Sequence, residues 1–145
     1  GYNYRLSDIN CALGLSQLNK INFFLKERKK IYNEYYEKLN NFDSNLKILK
    51  YSKNIKPSFH LFLININFKK LGKNKDHFFE YLKKYKIISQ FHYIPIYNFS
   101  IYKKKKIKLN GSEKYYRNVL SIPIFVSLKS IEQKRIINII KKYFS

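Results

Sequence analysis

From Ile9 to Leu39 the apolar positions Ile9, Leu13, Leu18, Ile21, Leu25, Ile31, Tyr35 and Leu39 recur mostly at steps of three or four residues. That spacing predicts an amphipathic helix with one buried face, and Ser7 supplies a side-chain oxygen to cap its first turn. Read without a break from Asp8 to Leu39, the helix is about 48 Å long at 1.5 Å per residue. Gly14 and the stretch 19–22 give it places to bend. A helix of that length bridges two parts of a protein, and Cys11, inside its buried stretch, reads as a small hydrophobe.

After a turn at 40–45 the period shortens to two. Residues 46–51 and 59–68 read as strands, and in the second Ile64, Ile66 and Phe68 alternate with Asn65 and Asn67. Asn74 then caps a short helix on which Phe78, Leu82 and Tyr85 share a face. A strand over 87–93 leads into an aromatic loop over 94–102. Ser112 begins a helix to Leu120, 122–125 is a brief strand, and Ser130 with Gln133 forms a capping box for a last helix built on Ile136, Ile137, Ile140 and Phe144. This order predicts an α+β fold, a small antiparallel or mixed sheet covered by helices behind a long N-terminal helix. Residues 1–40 hold the opening loop and bridging helix, and 41–145 a small α+β domain.

Composition changes this picture in three ways. With 145 residues, 45% of them hydrophobic, the chain can bury about two thirds of its unfolded surface in one core. Apolar runs such as Leu61–Ile64 fall far short of the roughly 20 residues that span a bilayer. The opening residues show no signal-peptide pattern, and the single cysteine cannot form an internal disulfide, so a reducing, cytoplasmic location is expected. Third, the chain contains no methionine, which suggests a piece of a longer protein and hence an incomplete site.

The net charge of +21 raises the possibility of a basic module for nucleic acid or another polyanion. Its distribution argues otherwise. Of 30 basic residues 26 are lysines, scattered along the chain with one cluster at 103–106, among abundant Ile, Asn, Tyr and Phe. That pattern fits compositional bias and solvated faces better than a binding stripe, and no ribonucleoprotein motif, zinc spacing or glycine-rich phosphate loop accompanies it. A steep loss of affinity with salt would mark the polyanion binder.

Two polar constellations remain. The opening "GYNYRLSDINCALGLSQL" sets Gly1, Tyr2, Asn3, Tyr4 and Arg5 ahead of the helix. An amide such as Asn3 suits a phosphate oxygen, and the planar fork of Arg5 suits a pyrophosphate. Both could instead close a turn and pair with a neighbouring acid. Further on, Pro95 fixes its own φ and pushes Ile94 towards an extended form, which would present His92 and Tyr93 rather than bury them. The alternative is a structural histidine at a strand end. His60 and His77 carry no functional assignment, one in a strand and one on a solvated helix face.

The opening segment, then "FHLFLI", "FHYIPIYNFSIY", "GSEKYYRNVLSIPIF" and "SIEQKRIINII", occur in the order and spacing of the C-terminal part of the DegT/StrS family of nucleotide-sugar aminotransferases, which the whole chain resembles. Within that family, Tyr97 stands where many relatives have histidine, as in the branch that aminates UDP-sugars for pseudaminic acid. The resemblance implies a pyridoxal-phosphate enzyme of the aspartate-aminotransferase fold, passing an amino group from glutamate to a UDP-linked 4-keto-6-deoxy-hexose for bacterial surface or flagellar sugars. It implies a homodimer in which Asn3 reaches the cofactor phosphate of the partner subunit. Arg5, His92, Tyr93 and, more weakly, Tyr97 and Tyr102 would line the sugar-nucleotide pocket. The Schiff-base lysine belongs to a large domain upstream, since none of the 26 lysines here sits in the family's Ser-x-Lys context. The chain by itself is then expected to be inactive, and a decayed remnant is the competing reading.

Overall fold

A computed structural model describes residues 2, 4–52, 54–105, 107 and 109–145. Its elements are α1 (Asp8–Leu18), α2 (Ile21–Leu39), β1 (Leu46–Ile48), β2 (Phe62–Ile66), α3 (Lys75–Lys84), α4 (Asn110–Asn118), β3 (Val119–Ile122) and α5 (Ser130–Phe144), with 3₁₀ turns at Ile96–Asn98 and Ser100–Lys105. The expected α+β class holds, and the three-stranded sheet, in the order β1-β2-β3, is antiparallel throughout.

The core follows from the alternation in β2. Phe62, Ile64 and Ile66 are fully buried, with Ile122 and Leu120 opposite the first two on β3 and Ile48 and Leu46 opposite the last two on β1. Directly opposed residues share a face, so these side chains make one apolar surface. Ile31, Tyr32, Tyr35 and Leu39 from α2, Phe78 and Leu82 from α3, and Ile136, Ile137 and Ile140 from α5 join them in a single cluster. The Tyr35 and Phe62 rings meet with centroids 4.9 Å apart. Tyr35 donates its hydroxyl to the Pro123 carbonyl at 2.9 Å, as a buried phenol must find an acceptor. Buried Gln133 donates to the Ile31 carbonyl at 2.7 Å and ties α5 to α2.

Several expectations fail for identifiable reasons. The long helix is two helices: at residues 19–20 the ladder tightens, Lys20 donating to the Gln17 carbonyl at 3.0 Å, three residues back rather than four. Helix α1 buries none of its residues although Ser7 caps it as expected, accepting from Asn10 N–H at 3.4 Å. Ile9, Leu13 and Leu18 are exposed, and so is Cys11, which is not the buried small hydrophobe that the periodicity predicted. Burial on α2 begins only at Ile31, where the sheet comes within reach.

The strand expected over 87–93 reduces to one bridge, Gln90 with Ser121. The last strand runs over Val119–Ile122 instead of 122–125, because Pro123 cannot donate to a ladder; Val119 and Leu120, expected at the end of a helix, belong to it. Strands β1 and β2 are shorter than 46–51 and 59–68, so His60 lies ahead of β2 rather than in it. Helix α4 starts at Asn110, two residues before Ser112. The cap of α5 uses Lys129 and Glu132 rather than Ser130 and Gln133: the Glu132 carboxylate accepts from Lys129 N–H at 3.0 Å, which frees Gln133 for the core. Asn74 caps α3 as read, accepting from His77 N–H at 2.7 Å.

Candidate functional site

Because Leu120 and Ile122 face the core, Val119 and Ser121 face the other side of β3. The segment after α3 returns along this side. Gln90 and Ser121 exchange backbone hydrogen bonds of 3.2 and 2.9 Å, and two residues on, His92 Nε2 sits 2.8 Å from Ser121 Oγ. Burial, and secondarily the charge of His60, hold the His92 pKa below its ordinary value. The ring is therefore neutral near pH 7. Its Nδ1 is buried and has no hydrogen-bond partner among the described residues.

Tyr93, next in sequence, is 74% exposed. With Pro95, Gly111, Ser112 and Tyr115 it lines an open depression of about 400 Å³ where the aromatic loop meets the first turn of α4. Tyr97 donates its hydroxyl to Glu113 Oε1 at 2.9 Å, pinning the loop to α4 from the other end. Desolvation and then that carboxylate push the Tyr97 phenol pKa up, so it remains a committed donor whose lone pairs can still accept. Tyr102 is exposed further along the loop.

Thus His92, Tyr93 and Tyr97 come together on one loop, with Tyr93 outermost. Asn3 lies outside the described residues. Arg5 is exposed ahead of α1. The flanking Tyr2 and Tyr4 are also exposed, so the described part of the opening segment is not packed shut against this domain. Sequence reasoning missed Ser121, Glu113 and Tyr115. A serine interrupting an apolar strand was the one available signal, and nothing local pairs it with a histidine 29 residues away.

A second cavity of about 470 Å³ opens at the end of β3, walled by Ile88, Ile122, Ile124 and Leu128 with His60 and Arg135 at its rim. Arg135 is engaged, donating to the Tyr85 carbonyl at 2.6 Å. Arg28 reaches His60 Nδ1 at 3.2 Å, so His60 serves to join α2 to the approach of β2. Exposed His77 places Nδ1 2.9 Å from the Tyr143 hydroxyl.

The comparisons with known proteins bear on the chain as a whole. Residues 1–141 match the DegT/DnrJ/EryC1/StrS aminotransferase family. A Campylobacter jejuni protein named UDP-4-amino-4,6-dideoxy-N-acetyl-beta-L-altrosamine transaminase is 44% identical over 128 residues, covering 85% of this chain and 33% of the relative. A solved Helicobacter pylori aminotransferase involved in the biosynthesis of pseudoaminic acid superposes with a TM-score of 0.89 at 30% identity, covering 99% of this chain and 39% of that one. A Streptococcus pneumoniae protein named for sugar aminotransferase activity and solved in its PLP form shares the fold, with a TM-score of 0.83 at 23% identity over 97% of this chain and 36% of that one. The chain spans about one third of the length of the relatives it matches.

Pyridoxal phosphate is the cofactor of the family. It calls for a lysine able to form an imine and for donors to its phosphate. The described residues do not by themselves fit such a site. The one buried lysine among them, Lys75, gives its ammonium to the Tyr116 carbonyl and lies 4.0 and 3.6 Å from the ring centroids of Phe91 and Tyr116. Burial lowers its pKa, offset in part by Asp76, and its contacts hold α3 against α4. With its antiparallel sheet, His-Tyr loop and match over residues 1–141, the chain belongs to the DegT/DnrJ/EryC1/StrS aminotransferase family.

Proposed function

We propose that this chain is the C-terminal part of a pyridoxal-phosphate aminotransferase that moves an amino group from glutamate to a UDP-linked 4-keto-6-deoxy-hexose in the making of bacterial surface or flagellar sugars. The observation that carries the reading is the 44% identity over 128 residues to the altrosamine transaminase of Campylobacter jejuni. The Helicobacter pylori likeness, across 99% of the chain, supports the same branch.

In this reading the chain's part is recognition. Tyr93 and Tyr97 on the aromatic loop contact the sugar-nucleotide, Arg5 contacts its pyrophosphate, and Asn3 reaches the cofactor phosphate of the partner subunit in a homodimer. When bound, the cofactor supplies the electron sink for amino-group transfer, and the lysine that anchors it lies on an upstream domain. The exposed apolar residues of α1, Ile9, Leu13, Leu15 and Leu18 among them, pack against that domain. The enzyme works in the cytoplasm; among the described residues no helix is long and apolar enough to cross a membrane. This chain expressed alone is inactive.

The test is an amination assay on the intact protein, with glutamate and a UDP-4-keto-6-deoxy-hexose, following 2-oxoglutarate release and the amino-sugar by NMR. Turnover requiring both substrates supports the reading. An intact protein that binds pyridoxal phosphate yet aminates no nucleotide-linked keto-sugar refutes it.

A further inference from the structure

We infer that His92 is a positioning residue rather than a ligand contact: through Ser121 it anchors the aromatic loop to β3 and holds the ring of Tyr93 out as the side chain that meets the nucleotide-sugar. This deepens the function proposed above and rests on it for the identity of the ligand. The hydrogen-bond directions carry the argument. Ser121 Oγ lies 3.5 Å from the Gln90 carbonyl, too long to fix its hydroxyl hydrogen there, so the buried ring nitrogen decides the direction. Nδ1 is buried without a partner among the described residues, and a buried N–H left unpaired is rarer than a bare acceptor, so we assign the ring hydrogen to Nε2, which donates to Ser121 Oγ at 2.8 Å.

In a neutral imidazole this leaves Nδ1 as a bare acceptor, and Nδ1 is the buried nitrogen without a partner among the described residues. Neither ring nitrogen is therefore offered to a ligand at the surface. Ser121 is itself 5% exposed and fixed by its backbone exchange with Gln90, so the anchor is rigid. What the loop does present is the next residue. The Tyr93 ring stands edge-on to the imidazole, with centroids 5.0 Å apart and planes at 88°, an arrangement that aromatic pairs favour. It borders the depression shared with Gly111, Ser112 and Tyr115. A lowered histidine pKa agrees with a neutral anchor and runs against a cationic clamp on pyrophosphate.

Two measurements on the intact protein decide it. In ¹⁵N-histidine NMR at pH 7.5, with the His92 signals assigned by their loss in His92→Gln, the ring is expected as the neutral Nε2–H tautomer. An Nδ1–H tautomer or an imidazolium overturns the inference without need of any variant at Ser121. Binding of UDP-N-acetylglucosamine, a stable UDP-hexose, is then measured by calorimetry. Ser121→Ala and Tyr93→Ala should each weaken it about 3- to 10-fold, as expected for the loss of one contact or its support, and Ser121→Thr should restore it. Unchanged binding in Ser121→Ala with the His92 tautomer preserved contradicts the anchor. If the unaltered protein binds no UDP-hexose, the sugar-nucleotide reading fails, and the tautomer alone then decides the anchoring role.

Discussion

At the scale of single residues, function divides between side chains that are held and side chains that are offered. His92 and Tyr97 are held, one by Ser121 at 2.8 Å and the other by Glu113 at 2.9 Å, while Tyr93 between them is offered. Pro95 led to the expectation that His92 and Tyr93 are presented, which holds for exposed Tyr93 and not for half-buried His92, while Tyr97 entered through the resemblance alone. The sequence could not show Ser121 or Glu113, since those partnerships depend on register between segments far apart in the chain. Arg5 is exposed ahead of α1. In the intact protein, Arg5→Ala should raise KM for the nucleotide-sugar several-fold, as one charge-assisted contact is lost, and leave KM for glutamate little changed. Steady-state kinetics with each substrate varied in turn checks this. A rise confined to glutamate would contradict the role given to Arg5.

Among elements, legibility tracked locality. The caps at Ser7 and Asn74 were readable because donor and acceptor lie three residues apart. The β2 alternation was readable because one face meets a core. The strand expected over 87–93 was not a strand: apolar residues there contribute Ile87 to the core and one bridge to β3, and hydrophobicity alone cannot tell a ladder from a docked loop. Gln133 is the clearest case of non-local override, assigned to a cap by spacing but spent on the Ile31 carbonyl inside the core. Gln133→Ala should cost about 1–3 kcal/mol, the price of leaving a buried polar group unpaired and a small cavity. Urea unfolding with an unchanged m-value measures it; a change under a few tenths of a kcal/mol would show the bond to be dispensable.

For the whole molecule, the periodicity of α1 was read correctly as a helix and wrongly as one buried within this chain. Its apolar residues, Ile9, Leu13, Leu15 and Leu18 with Cys11, are spread around the helix and exposed, and none is buried by the described residues of this chain. The core, by contrast, has an alkaline weakness. Burial, helped by the charge of Tyr81, pushes the Tyr143 phenol up to about 12, and burial raises that of Tyr35 further. Above pH 10 the unfolded chain releases phenolic protons that the folded chain keeps, so stability falls as pH rises from 10 towards 12. Denaturant midpoints should drop over that interval, with tyrosinate absorbance appearing together with unfolding. Full tyrosine ionisation in a still-folded protein would contradict the burial of these two rings.

The central claim is that this chain supplies one side of a pocket completed by a lysine-bearing domain and by a second copy. Subunit complementation tests it most directly. One variant of the intact protein lacks the Schiff-base lysine, the other carries Asn3→Ala with Arg5→Ala, and the two are unfolded together and reassembled. If the opening segment acts across a two-fold dimer, random mixing restores one intact site in each mixed dimer and about a quarter of normal activity. If the mixture is no more active than its two components, the segment serves its own subunit and the composite pocket is disproved.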